Sequence, residues 1–126
     1  MSHRVTALFA SVIACGLFLL AGCVSTDVTR LSSAPEGLTP ISPSEVSVYR
    51  DTSSVGCSYQ DVAIIDTRGG SELTVSNDKL VSEAKGSAAE IGANALILEN
   101  FGDVEMLGSS EPTGKFLAIY EDRPCE

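Results

Sequence analysis

Three short apolar runs set the strongest limit on the possible folds of this chain, because none of them alternates apolar with polar residues. They occupy residues 63–65, 95–98 and 116–119. Strands of this kind need cover on both faces of a sheet. The sequence predicts one helix, which covers one face only. The other face then needs the sheet to curl on itself, or a second subunit or partner to cover it.

The predicted helix runs from Asp78 to Ile91. Its apolar positions fall within one arc of about 100° when successive residues are placed 100° apart; they are Leu80, Val81, Ala84, Ala88 and Ile91. Ser76 or Asn77 is suited to cap the first N–H groups. Gly92 stands where a helix often ends in a left-handed residue.

The predicted strands surround this helix in the order β-β-α-β-β. In the first strand, near Glu45, Val46 and Val48 alternate with polar residues, which indicates a half-buried strand. Residues 101–114 contain turn residues and are predicted as a loop. The fold class is therefore α+β, with a small antiparallel or mixed sheet of about four strands and the helix packed on one face.

The first 22 residues are typical of an export signal. Arg4 precedes an uncharged run from Val5 to Ala21. The run ends in "LAGC", residues 20–23, which resembles the lipobox of bacterial lipoproteins. The resemblance implies cleavage between Gly22 and Cys23 and acylation of the Cys23 thiol. A looser match ending at Cys15 and an uncleaved membrane helix over residues 5–21 are the alternatives.

Three segments follow from this interpretation. Residues 1–22 are a signal peptide, residues 23–44 are a lipidated N-terminus and a Ser/Thr/Pro-rich tether, and residues 45–126 are the α+β domain. The membrane is then a partner through the acyl chains on Cys23. Because Val24 rather than Asp follows the cysteine, the resemblance implies the outer membrane, facing the periplasm.

Charge and histidine content exclude several classes of function. The formal net charge is −9, and it becomes about −10 when Arg4 leaves with the signal, which disfavours nucleic acid as a partner. The only histidine is His3, so the mature chain has no histidine for a catalytic triad or a zinc site. We predict no catalytic residues, no metal ligands and no cofactor.

Cys57 and Cys125 are predicted to form a disulfide, because an exported domain meets an oxidising compartment. A redox role and a soft-metal site are the alternatives, although no CxxC motif is present. Two carboxylate pairs, Asp61 with Asp66 and Asp103 with Glu105, are interpreted as solvated surface, since sequence spacing alone does not make an acid/base pair.

The motifs around Cys57, Gly92-Ala93-Asn94, Tyr120 and Cys125 resemble small bacterial lipoproteins of the YjeI type, whose domain has no assigned function. More distantly the chain is similar to RcsF-like envelope stress sensors, which have four domain cysteines, and to the YbjQ-like fold. We interpret the domain as a non-enzymatic binding or sensor module, with an envelope protein or a second copy on its uncovered sheet face. A self-assembling structural lipoprotein and a metal-binding or redox-responsive domain are the alternatives.

Overall fold

The computed structural model describes residues 24–70, 75–106 and 108–123. In this part of the chain one helix packs on a five-stranded sheet with the strand order β1-β3-β5-β4-β2. All neighbouring strands are antiparallel except β2 and β4. The predicted α+β class is confirmed, and the sheet is mixed. The elements are β1 (Val24–Arg30), β2 (Ser47–Tyr49), β3 (Tyr59–Gly69), α1 (Asn77–Glu90), β4 (Ala95–Met106) and β5 (Ser109–Glu121).

Helix α1 begins and ends within one residue of its predicted bounds. The Ser76 hydroxyl accepts a hydrogen bond from the Lys79 N–H at 3.4 Å, which confirms Ser76 as the N-cap. The helix buries one stripe against the sheet, formed by Leu80, Ala84, Ala88 and Ala89. The small side chains of this stripe let the helix lie close to strands that carry Ile65 and Phe116, which are fully buried.

Residues 24–44 pack on the domain, so the prediction of a tether over residues 23–44 is wrong for this part of the chain. Val24–Arg30 is an edge strand that pairs with β3 over seven residues. Beyond it, Leu38 and Ile41 pack against the core, and the Ile41 N–H donates to the Ala89 carbonyl at 3.0 Å. The tether prediction gave the Ser, Thr and Pro content too much weight. Val24, Thr26 and Val28 alternate with polar residues, which is a strand pattern.

Of residues 101–114, which are predicted as a loop, residues 101–106 and 109–114 are strand instead. β4 and β5 form one long hairpin whose pairing continues to Met106 opposite Ser109, and Gly108 adopts a φ of 82° at its turn. Pro112 fits this strand because the pairing of β5 with β3 ends at Thr113. The hairpin therefore extends four residue pairs, about 13 Å, past the last residues that β5 pairs with β3.

Gly92 ends the helix in the left-handed region, with a φ of 79°. A Cβ atom there would lie 2.6 Å from the Thr39 carbonyl oxygen and 2.8 Å from the Leu38 Cβ. The glycine therefore does two things: it turns the chain into β4, and it admits the segment that follows β1. Both depend on the missing side chain.

We expect Gly92→Ala to lower the free energy of unfolding by about 3 kcal/mol, since a left-handed penalty of about 1–2 kcal/mol adds to a backbone collision. Gly37→Ala is the matched control, because Gly37 has a φ of 78° and its Cβ would meet no atom within 4 Å. Urea unfolding of both variants isolates the collision. Equal losses in the two variants would contradict the close approach of Thr39.

Candidate functional site

The sheet face opposite α1 divides into an apolar half and a polar half. In the apolar half, Ala95, Ile97 and Ile119 are buried beneath the chain's own Tyr49, Val55 and Tyr59. Tyr49 ends β2, Val55 lies in the connection from β2 to β3, and Tyr59 begins β3. Side chains of the chain itself therefore pack on this half of the face.

The polar half lies toward the Val24 end of β1 and consists of two rows of side chains that cross four strands. The strand register places Asp27, Asp66, Lys115 and Asn100 side by side in one row. The next row holds Ser25, Arg68 and Thr113. We call these seven residues the polar patch. They line an open groove of about 490 Å³, together with Thr67 and Gly114.

The charges of the polar patch are only partly matched within the fold. Asp27 lies directly opposite Asp66, an arrangement of like charges that disfavours the strand pair. Asp66 lies opposite Lys115 on its other side, but among the described residues neither carboxylate forms an ion pair within 4 Å. Arg68 makes a long contact of 3.9 Å with Glu111. The patch therefore presents two carboxylates and two cations whose hydrogen-bonding capacity is largely unused.

A second polar cluster lies at the other end of the sheet, around the buried side chain of Glu121. Its Oε2 accepts a hydrogen bond from the Arg123 Nε at 3.1 Å, while its Oε1 is buried and accepts none from the described residues. The nearby Glu121 carboxylate, and to a smaller extent burial, raise the pKa of Tyr49. The Asn94 side chain forms two hydrogen bonds with the Glu121 backbone, at 2.7 and 2.9 Å.

Arg123 ties this cluster to the start of the sheet. Its guanidinium donates to the Ser47 hydroxyl at 2.9 Å and to the Asn94 carbonyl at 3.0 Å. The cluster therefore joins β2, the turn before β4 and the end of β5. Because these contacts join elements that are far apart in the chain, we call Ser47, Asn94, Glu121 and Arg123 the structural clamp.

We expect Arg123→Met to lower the free energy of unfolding by about 2 kcal/mol, because it leaves the buried Glu121 carboxylate without a counter-charge. Exposure of the arginine reduces the effect from the value for a fully buried pair. Arg68→Met is the matched control, since its ion pair is exposed and long and is worth under about 1 kcal/mol. Urea unfolding compares them, and an equal loss in both variants would contradict the clamp.

Of the four residues predicted as sites, the structure describes only Cys57. The other three, Gly22, Cys23 and Cys125, lie outside the described residues. Cys57 is disulfide-bonded, and its pairing with Cys125 stays a prediction. The alternative membrane segment over residues 5–21 and the alternative lipobox ending at Cys15 also lie outside them.

Of the two carboxylate pairs named from the sequence, Asp61 and Asp66 are far apart, whereas Asp103 and Glu105 are near neighbours on one face of β4. Asp61 and Asp66 lie five positions apart on β3, about 16 Å along the strand. Asp66 faces Asp27 instead, a neighbour that sequence reasoning missed. Asp103 and Glu105 are both exposed on the hairpin. Among residues 24–70, 75–106 and 108–123, no group of three or more His, Cys, Asp or Glu side chains is placed to hold a metal ion.

Within the same described ranges, no helix has the length and apolar character needed to cross a membrane.

Comparison with known proteins gives a fold likeness. No protein-family model and no curated protein matches the chain. A crystal structure of the Francisella virulence factor FvfA superposes with a TM-score of 0.52 at 23% identity. The match covers 76% of this chain and 98% of the FvfA chain. At this identity the likeness supports the architecture and carries no functional argument.

Proposed function

We propose that this chain is a lipid-anchored lipoprotein of the bacterial envelope, held in the outer membrane facing the periplasm. Residues 1–22 are removed as a signal peptide, and Cys23 carries the acyl chains. Two or more acyl chains give a stable anchor, whereas one gives only marginal binding. The α+β domain then acts as a non-enzymatic binding or sensor module at the membrane surface.

The polar patch is the observation that carries the binding role. Its charged side chains stand on a continuous sheet, which holds them in fixed positions before any ligand arrives. Packing uses almost none of their hydrogen-bonding capacity, and the opposed Asp27 and Asp66 carboxylates disfavour the strand pair. A sheet face that carries charges which lower the stability of the fold is typical of a functional surface.

The position of β1 strengthens the link between anchor and patch. The strand begins at Val24, one residue after the proposed acylation site. The Cα atoms of consecutive residues are 3.8 Å apart, so the domain is held directly at the membrane rather than on a tether. The patch residue Ser25 lies two positions from the anchor. A ligand of this patch is therefore expected at the membrane surface.

Self-assembly is the second candidate, and the outer edge of β1 favours it. The Leu31 N–H donates inward to the Val62 carbonyl at 2.9 Å. Alternation along the strand then directs the backbone groups of Val24, Thr26, Val28 and Arg30 outward. Among the described residues these groups pair with no strand. Such an edge is a template for pairing with another chain.

The anchor is tested with Cys23→Ser, compared with Cys15→Ser as a control, since Cys15 ends the alternative lipobox. We expect the first variant to incorporate no labelled fatty acid and to accumulate as an unprocessed precursor, while the second still incorporates the label. Metabolic labelling followed by immunoprecipitation measures both. Normal lipid labelling of the Cys23→Ser protein would contradict the proposed anchor.

The binding role is tested with a photo-crosslinking residue placed at Ser25 in the patch or at Ser82 on α1, two exposed serines. We expect irradiated cells to yield an adduct with an envelope component from position 25 and none from position 82. A product with the mass of two copies favours self-assembly instead. If neither position gives an adduct, the binding proposal is wrong.

A further inference from the structure

The polar patch combines two opposed carboxylates with two cations on one face, and this combination restricts its ligand. Asp27 and Asp66 face each other across β1 and β3, and Lys115 lies next to Asp66 in the same row. Arg68 is in the neighbouring row. A positive group between the two carboxylates would relieve their repulsion. A negative group beside Arg68 and Lys115 would complete the match, so the complementary ligand carries both charges.

The geometry of the anchored domain brings this patch to the headgroup layer. The β4–β5 hairpin extends about 13 Å past the end of the β3–β5 pairing on the Val24 side. A chain anchored one residue before Val24 therefore cannot stand with its strands upright on the bilayer unless the hairpin enters it. The hairpin carries Asp103, Glu105 and Glu111, so entry is unfavourable. The domain must therefore tilt so that one face of the sheet approaches the bilayer. Because α1 covers the other face, the face that approaches the headgroups is the one that carries the polar patch.

Building on the proposed lipid anchor, we infer that the polar patch binds the headgroup of a zwitterionic phospholipid with a primary ammonium, that is, phosphoethanolamine. The ammonium lies between Asp27 and Asp66, and the phosphate lies against Arg68 and Lys115. The ammonium supplies N–H donors that a carboxylate accepts. A choline group has no N–H donor, and the polar patch has no aromatic side chain to hold it. An anionic headgroup is disfavoured by the net charge of the mature chain, about −10.

The test uses the chain from residue 23 onward with Cys23→Ser, because all the described strands and the helix lie within residues 24–121. Co-sedimentation is measured with phosphatidylcholine vesicles and with vesicles that contain equal parts of phosphatidylcholine and phosphatidylethanolamine. We expect clear binding to the mixed vesicles and little to phosphatidylcholine alone. Since this protein carries no acyl chain, the result is independent of whether Cys23 is lipidated in cells.

The double variant Asp27→Asn/Asp66→Asn is expected to weaken binding to the mixed vesicles about tenfold, through loss of the charge-assisted hydrogen bonds. Asp78→Asn/Asp122→Asn changes two exposed aspartates outside the patch and should leave binding unchanged. Arg68→Glu/Lys115→Glu should abolish binding, and circular dichroism confirms folding of each variant. Equal binding to both kinds of vesicle, or equal effects of the two aspartate pairs, would overturn the headgroup assignment. A lipidation failure at Cys23 would not affect either result.

Discussion

Replacing Ala84 with Asp is expected to lower the free energy of unfolding by about 4 kcal/mol. The Ala84 side chain is fully buried on the face of α1 that packs against the sheet. A carboxylate at this position would be desolvated without a partner, and the small-residue stripe leaves no room for its volume. Urea unfolding followed by circular dichroism measures the loss.

Two substitutions on the same helix serve as controls for the Ala84→Asp variant. Ser82→Asp introduces the same side chain at an exposed position, so its effect should stay within about 0.5 kcal/mol. Gly86→Ala should stabilise the protein by about 0.5–1 kcal/mol, because a Cβ there meets no atom within 4 Å. If Ala84→Asp were as mild as Ser82→Asp, the packing of α1 on the sheet would be wrong.

Loss of the disulfide at Cys57 is expected to lower the free energy of unfolding by a similar amount. If Cys125 is its partner, the bridge closes a loop of about 68 residues, and its removal costs about 4 kcal/mol on the chain-entropy model. The Asp122 N–H donates to the Ser58 carbonyl at 3.0 Å, so the chain after β5 runs beside the residue that follows Cys57. Reduction should therefore lower the thermal midpoint strongly.

The measurement compares the oxidised protein, the reduced protein and the variant Cys57→Ser/Cys125→Ser in thermal melts. We expect the double variant to match the reduced protein and to be insensitive to reductant. Peptide mapping without reduction should recover a fragment that joins the two cysteines. Two alkylatable thiols in unreduced protein, or a bridge from Cys57 to another cysteine, would contradict the pairing.

The helix was predictable because its signals are local. Ser76, the apolar stripe and Gly92 all act within one segment of the chain, and helix periodicity and caps depend only on near neighbours. The strands were less accessible. β1 pairs with residues about forty positions away, so its alternation was visible in the sequence but its partner was not. The glycines and Pro112 of the long hairpin are residue types that indicate turns. They are tolerated in this strand because its end has a neighbouring strand on one side only.

The polar patch was not predictable for a related reason. Asp27, Asp66 and Lys115 belong to three different strands and become neighbours only through the register of the sheet. A one-residue shift in any of those strands would move its member to the helix face. The sequence predicted an uncovered face available for a partner. Side chains from β2, from β3 and from the connection between them pack on the apolar half of that face, which leaves the polar half as the candidate surface.

Whether Cys23 anchors this domain at a membrane is tested by the intact mass of the protein extracted from envelope membranes. We predict a chain that begins at Cys23, with its mass increased by a diacylglycerol on the thiol and an acyl chain on the amine. Fragmentation should place both modifications on that residue. A membrane-associated chain that still begins at Met1, is acylated at Cys15, or carries an unmodified Cys23 would contradict it.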